Sequence, residues 1–174
     1  MDLFRTLEHR LGHKEVIAED LGMMTDTVRQ LVKDSGYPNM KVLGFAFDPT
    51  GTSEHLPHNY EKNCVCYTGT HDNETLMQMY DGMDKKTLAF TTDYLNNVHS
   101  TREEIKWDFI RLAMLSVADT CIVPMQDYLG LGQEARMNFP STTGNNWKWR
   151  VGKEDLTKQL AKEILHLTKL SCRL

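Results

Sequence analysis

The run K-V-L-G-F-A-F at residues 41–47 decides the fold class. A strand with one wetted face alternates apolar and polar side chains. A strand covered on both faces need not, so a short unbroken apolar run bounded by turn residues is the pattern of a buried parallel strand. Asp48-Pro49 closes this run with a turn signal. Working outward, residues 15–19 hold the apolar core Val16, Ile17 and Ala18 and read as a second buried strand that ends at Glu19. Residues 64–68 and 120–124 read as two more.

Helical patterns alternate with these strands. Leu3, Phe4, Leu7 and Leu11 share one face before Gly12. Thr25 is placed to cap a helix bearing Val28, Leu31 and Val32, which Gly36 and Pro38 close. Leu76, Met77 and Tyr80 precede Gly82, and T-R-E-E at 101–104 supplies a capping box ahead of Ile105, Phe109, Leu112 and Ala113. Leu156, Leu160, Ile164 and Leu167 mark a terminal helix at about 153–170. Strands alternating with helices at this spacing imply parallel pairing through right-handed crossovers, hence a doubly wound sheet or a (β/α)8 barrel. No G-x-G-x-x-G or P-loop string occurs, which favours the barrel. Residues 48–63, rich in Pro, Gly, His and Asn, form a connection too long to be routine and are expected to carry function.

With 40% hydrophobic and 25% charged residues, the composition is that of a globular domain. A net charge of −4 with dispersed Lys and Arg leaves no electrostatic footprint for nucleic acid or an anionic membrane, so an uncharged ligand is the more natural partner. The start, M-D-L-F-R-T-L-E-H-R-L-G, lacks the apolar core of a leader peptide, and no run reaches membrane-spanning length. Cys64 and Cys66 suit neither a metal knuckle nor a mutual disulfide. They are expected to be buried free thiols, as in a cytoplasmic protein. His9, His13, His55, His99 and His166 have no partner at metal spacing; solvated or capping roles are expected, and no metal.

In either fold, ligand-facing residues stand at the carboxyl ends of strands, where Glu19, Asp48, His71, Asp72 and Gln126 fall. Two carboxyl groups there, Glu19 and Asp72, could face one pocket, the arrangement that glycoside chemistry needs. Most acids at strand ends are solvated loop residues, and Asp20 and Asp127 are expected to support local turns. Trp107 reads as core, the ten methionines as core filler, and Trp147 and Trp149 either stack on sugar rings or cover the rim of the barrel.

Five strings stand in order: I-A-E-D-L-G at 17–22, L-P-H-N-Y at 56–60, T-G-T-H-D-N-E-T at 68–75, Q-D-Y-L-G-L-G-Q-E-A-R-M-N at 126–138 and N-N-W-K-W-R at 145–150. Together they resemble the 4-alpha-glucanotransferases, also called amylomaltases or disproportionating enzymes. The resemblance implies an alpha-amylase-like barrel that cuts alpha-1,4-glucans and malto-oligosaccharides by a retaining mechanism without a cofactor. It casts Glu19 as general acid/base, Asp72 as the carboxylate that stabilises the transition state, and His71 as a sugar-binding neighbour. His58, Asn59 and Asn138 become substrate contacts.

The family's nucleophile ends an earlier strand in an R-x-D-H-type string that has no counterpart before Glu19. Residues 1–174 therefore read as a single partial domain, the C-terminal half of a (β/α)8 TIM barrel with about four parallel strands. Such a half is expected to be inactive alone and to need the missing N-terminal half or self-association, because open sheet edges and barrel-centre side chains would otherwise meet water. An alpha-amylase-like hydrolase and a noncatalytic glucan-binding remnant are the alternatives.

Overall fold

In the computed structural model, which describes residues 1–97 and 100–174, three short parallel strands lie side by side in chain order. They are β1 (Asn39–Val42), β2 (Cys64–Tyr67) and β3 (Thr120–Ile122). Asn39 faces Cys64 and Val42 faces Tyr67 across the first pair, while Val65 faces Thr120 across the second. The described residues also form seven α-helices: α1 (Asp2–Leu11), α2 (Asp26–Ser35), α3 (Leu76–Asp81), α4 (Lys85–Leu95), α5 (Arg102–Met114), α6 (Met125–Tyr128) and α7 (Lys158–Leu170). This is the expected α/β alternation.

The core lies between the sheet and the helices that follow β2 and β3. Phe109 and Ile110 of α5 are fully buried there with Leu43, Cys64, Cys66 and Leu76. Phe47 meets Phe109 edge-on, with ring centroids 5.1 Å apart. The capping box forms as expected: Glu104 N–H donates to the Thr101 hydroxyl, while the Glu104 carboxylate accepts from Thr101 N–H at 2.7 Å. Thr25 caps α2, and Gly36 ends it in the left-handed conformation that glycine adopts most readily. Cys64 and Cys66 are buried and free, and burial pushes the Cys64 thiol up to about 11.

Several expectations need correction. The apolar run 41–47 is a strand only as far as Val42; Leu43–Phe45 turn as a 3-10 helix, and Gly44 N–H donates to the carbonyl of Thr68 at 3.0 Å. Leu43, Ala46 and Phe47 then drop into the core, so the unbroken apolarity encodes a buried turn as well as a strand. Residues 15–19 form no buried strand. One parallel bridge, Ala18 to Asn39, is all that pairs, and Ile17 is 46% exposed. Asp20 explains why the ladder stops: its carboxylate accepts from Met40 N–H at 2.9 Å and from the Asn39 amide at 3.2 Å, replacing backbone pairing. Asp20 therefore ties two elements together rather than a local turn. The sheet thus has three strands and a bridge, not four strands.

Both N-terminal helices form where expected, yet neither buries a residue. Leu3 is 66% exposed on the stripe expected to face a core. Helix α4 was not anticipated; Asp84 caps it by accepting from Lys86 and Thr87 N–H. The terminal helix starts at Lys158, after the Thr157 cap, leaving Leu156 outside it. His55 caps a strand rather than a helix: its Nδ1 accepts from Val42 N–H at 3.2 Å, and burial holds the ring below the ordinary histidine range. His99 lies outside the described residues. Among those described, no helix is long and apolar enough to cross a membrane.

Candidate active site

Between β2 and α3 the chain reads T-G-T-H-D-N-E-T, and its side chains dictate its shape. The Thr70 N–H and hydroxyl both donate to Asn73 Oδ1, at 2.8 and 2.7 Å, closing a tight turn with His71 and Asp72 at its apex. Gly69 lets the two limbs approach, since a Cβ there would stand 3.2 Å from the Glu74 carbonyl oxygen. Thr75 caps α3 by accepting from Gln78 N–H at 3.2 Å.

The segment after β3 wraps onto this apex. Asn138 donates its side-chain amide to Asp72 Oδ1 at 2.6 Å, and His71 Nε2 lies 3.2 Å from the same oxygen. Arg136 underpins both residues. Its Nη2 donates to the Asp72 carbonyl and its Nε to the Asn138 carbonyl, each at 3.0 Å, while Nη1 stands 3.6 Å from Glu74. The guanidinium lies over the Phe139 ring, and the side chain is only 14% exposed. The Trp147 ring packs against His71 with centroids 5.0 Å apart. A cavity of about 190 Å³ opens beside the loop, lined by His71, Glu74, Gln126, Asp127 and Arg136. A second, of about 290 Å³, lies between Gly44, Phe45, Asp72 and Arg136.

Asp127 is not a local turn residue. It is 1% exposed; the Thr68 hydroxyl donates to its Oδ2, and Leu76 N–H donates to its Oδ1 at 2.8 Å. Burial pushes its carboxyl up to about 6, against the opposing effect of the two donors.

Glu19 stands exposed just beyond the Ala18 bridge. After burial, its charge is the second cause that raises the phenol of Tyr67, the last residue of β2. Glu19's neighbour Ala18 stands level with Asn39 and Cys64, the first residues of β1 and β2. Among the described residues Glu19 makes no hydrogen bond or ion pair with Asp72 and lines neither cavity. His58 shares a 2.8 Å hydrogen bond with the Tyr94 hydroxyl of α4 and remains exposed. Asn59 donates to the Ser53 carbonyl at 3.0 Å and lines a separate cavity of about 410 Å³ with Asp20, Arg29, Lys41 and Glu54. There the buried Lys41 pairs with Glu54 at 2.8 Å and, as the leading cause, holds that carboxyl below its ordinary value. The structure thus unites His71, Asp72 and Asn138, and leaves Glu19, His58 and Asn59 outside that cluster.

Arg136, Asp127, Thr68 and Glu74 were not anticipated as site residues, although all four fall within the quoted strings. Each acts through a partner at least 50 residues away or through the loop backbone, and no local spacing announces that.

A protein-family model described as 4-alpha-glucanotransferase matches residues 1–156. The chain belongs to the 4-alpha-glucanotransferase family. It is 43% identical over 172 residues to a 4-alpha-glucanotransferase from Clostridium butyricum, covering 98% of this chain and 35% of that protein. A chloroplastic/amyloplastic 4-alpha-glucanotransferase from Solanum tuberosum is 45% identical over 149 residues, 86% of this chain and 26% of the relative. Among solved structures, the amylomaltase from Streptococcus agalactiae in complex with acarbose superposes with a TM-score of 0.92 at 35% identity, over 98% of this chain and 34% of that one. The chain thus spans about a third of the length of the Clostridium butyricum and Streptococcus agalactiae proteins.

Proposed function

We propose that residues 1–174 furnish one side of the active site of a 4-alpha-glucanotransferase, as the C-terminal half of a (β/α)8 barrel. The observation that carries this reading is the Asp72 carboxylate, held at 2.6 Å by the Asn138 amide beside His71 at the end of a parallel strand. Family membership supplies the chemistry for which such a carboxylate is suited.

In this reading Glu19 gives its proton to the glycosidic oxygen as the bond to the anomeric carbon breaks. A nucleophilic carboxylate from residues outside this segment takes the sugar as a covalent glycosyl intermediate. An acceptor sugar hydroxyl then returns its proton to Glu19 and displaces that carboxylate with retention. Asp72 offsets the positive charge that develops on the sugar in both steps, from a position fixed before substrate arrives. His71 hydrogen-bonds the sugar hydroxyls and is braced by Trp147, while His58, Asn59 and Asn138 contact the glucan. Acarbose, named in the Streptococcus agalactiae complex, is the ligand we expect to seat against Asp72. The free cysteines suit a reducing compartment such as the cytoplasm.

The test is the complete protein assayed on maltotriose. Glucose release together with longer maltodextrins supports transfer. Products that are only shorter than the substrate indicate a hydrolase, and glucan binding without turnover sinks the catalytic reading.

A further inference from the structure

Asp127 has no part in the chemistry set out above, yet it is the most deeply buried carboxyl group against the site. A carboxylate is costly to bury unless its oxygens are hydrogen-bonded. Here each oxygen has one donor, and the two donors are the two ends of a single loop. Thr68 is the first residue past β2, and Leu76 is the first residue of α3. Between them stand the Thr70–Asn73 turn, His71 and Asp72. Among the described residues, nothing else ties the loop's two ends to one group.

We infer that Asp127 is a positioning residue for the transfer site: its carboxylate pins Thr68 and Leu76, so that the loop presents His71 and Asp72 to the sugar. Asp127 is 1% exposed and its two oxygens are turned to Thr68 and Leu76, so it acts through the loop rather than on the sugar. Its neighbour in the same segment, Arg136, fixes the apex through the Asp72 carbonyl, so the loop is held at three points from one side. Without Asp127, the buried Leu76 N–H loses its acceptor and the loop must shift to find another. A displacement of about 1 Å at a reacting group costs on the order of 100-fold in rate. This inference rests on the transferase reading of the site.

The experiment compares Asp127→Ala, Asp127→Asn, Thr68→Val and Thr68→Ser in the complete enzyme. It records kcat and KM on maltotriose, melting temperature, and amide hydrogen exchange of residues 68–76 and of α5. Asp127→Ala is expected to lower kcat at least tenfold with KM within about threefold, and to speed exchange at 68–76 while α5 stays protected. Asp127→Asn, which keeps an acceptor for Leu76 N–H and a group able to pair with Thr68, should recover most of the rate. Thr68→Val should lose several-fold and Thr68→Ser little; because Thr68→Val exchanges only the hydroxyl for a methyl group, it decides the matter should Asp127→Ala fail to fold. Unchanged kcat and loop exchange in Asp127→Ala, or in Thr68→Val if that variant must decide, overturn the inference. So does a loss that tracks α5 exchange and melting temperature alone. An inactive wild type, or activity that survives Asp72→Ala, defeats the transferase reading instead, and the exchange data still report whether Asp127 holds the loop.

Discussion

Asn138 and Asp72 are 66 residues apart in the chain and joined by one 2.6 Å hydrogen bond, amide to carboxylate. That bond orients the oxygen that also faces His71. A hydrogen bond to a charged group is worth roughly 1.5–3 kcal/mol, so Asn138→Ala in the complete enzyme should cost about 10- to 100-fold in kcat/KM. Asn138→Asp, which sets a second negative charge against Asp72, should cost more. Steady-state kinetics on maltotriose checks both, and equal activity of Asn138→Ala and wild type would remove Asn138 from the site.

Glu19→Gln should lower glucan transfer by roughly 10² to 10⁴, the usual scale for loss of general acid–base assistance. The loss should shrink in the first step with a maltosyl fluoride donor, whose leaving group needs no proton. If both donors lose equally, Glu19 is not the acid.

For Asp127, stability and function pull against each other. Its folded carboxyl titrates near 6 rather than 3.8, raised by burial, so the neutral acid favours the folded state. That contribution is fully present below pH 3.8 and is lost as pH rises through about 6. The gap corresponds to about 3 kcal/mol. Relative to Asp127→Asn, the wild type should therefore lose up to about that much stability between pH 4 and pH 7. Urea unfolding of both proteins across that range measures the difference, and parallel curves would contradict it.

The isolated 174-residue chain should show no transferase turnover and should self-associate. The apolar stripe of α1, with Leu3, Leu7 and Leu11, faces water, and Val16 and Ile17 beside the bridge are also exposed. Sedimentation velocity should detect oligomers. On the proposed reading, adding the N-terminal half of a 4-alpha-glucanotransferase barrel in trans should disperse them and restore glucose release from maltotriose. Robust turnover by the isolated chain as a monomer would overturn this reading.

Much of this architecture is legible in the sequence because local chemistry encodes it. Thr25, Gly36, Thr101 and Glu104 cap where their hydroxyl, left-handed or carboxylate geometry requires. The loop at 68–75 is recognisable because its Gly, Asp and Asn are disfavoured in strands and favour turns. What stays hidden is what depends on partners. Residues 41–47 are apolar because both the strand and the following turn are buried, and periodicity does not separate the two. Residues 15–19 read as a strand, yet pairing on one side yields only the Ala18 bridge. The roles of Asp127 and Arg136 are set by groups more than 50 residues away, beyond the reach of any local pattern.

The interlock of the loops after β2 and β3 is also expected to order events in folding. Asp127 reaches back 59 residues to Thr68, and contacts of such long sequence separation close late because loop entropy must be overcome first. A molecule paused with β3 undocked already contains Glu19, His71 and Asp72, but lacks the hand that holds them. On the proposed reading, catalytic competence belongs to the finished fold of the complete enzyme, and ordering of the His71–Asp72 loop during refolding should coincide with the docking of β3.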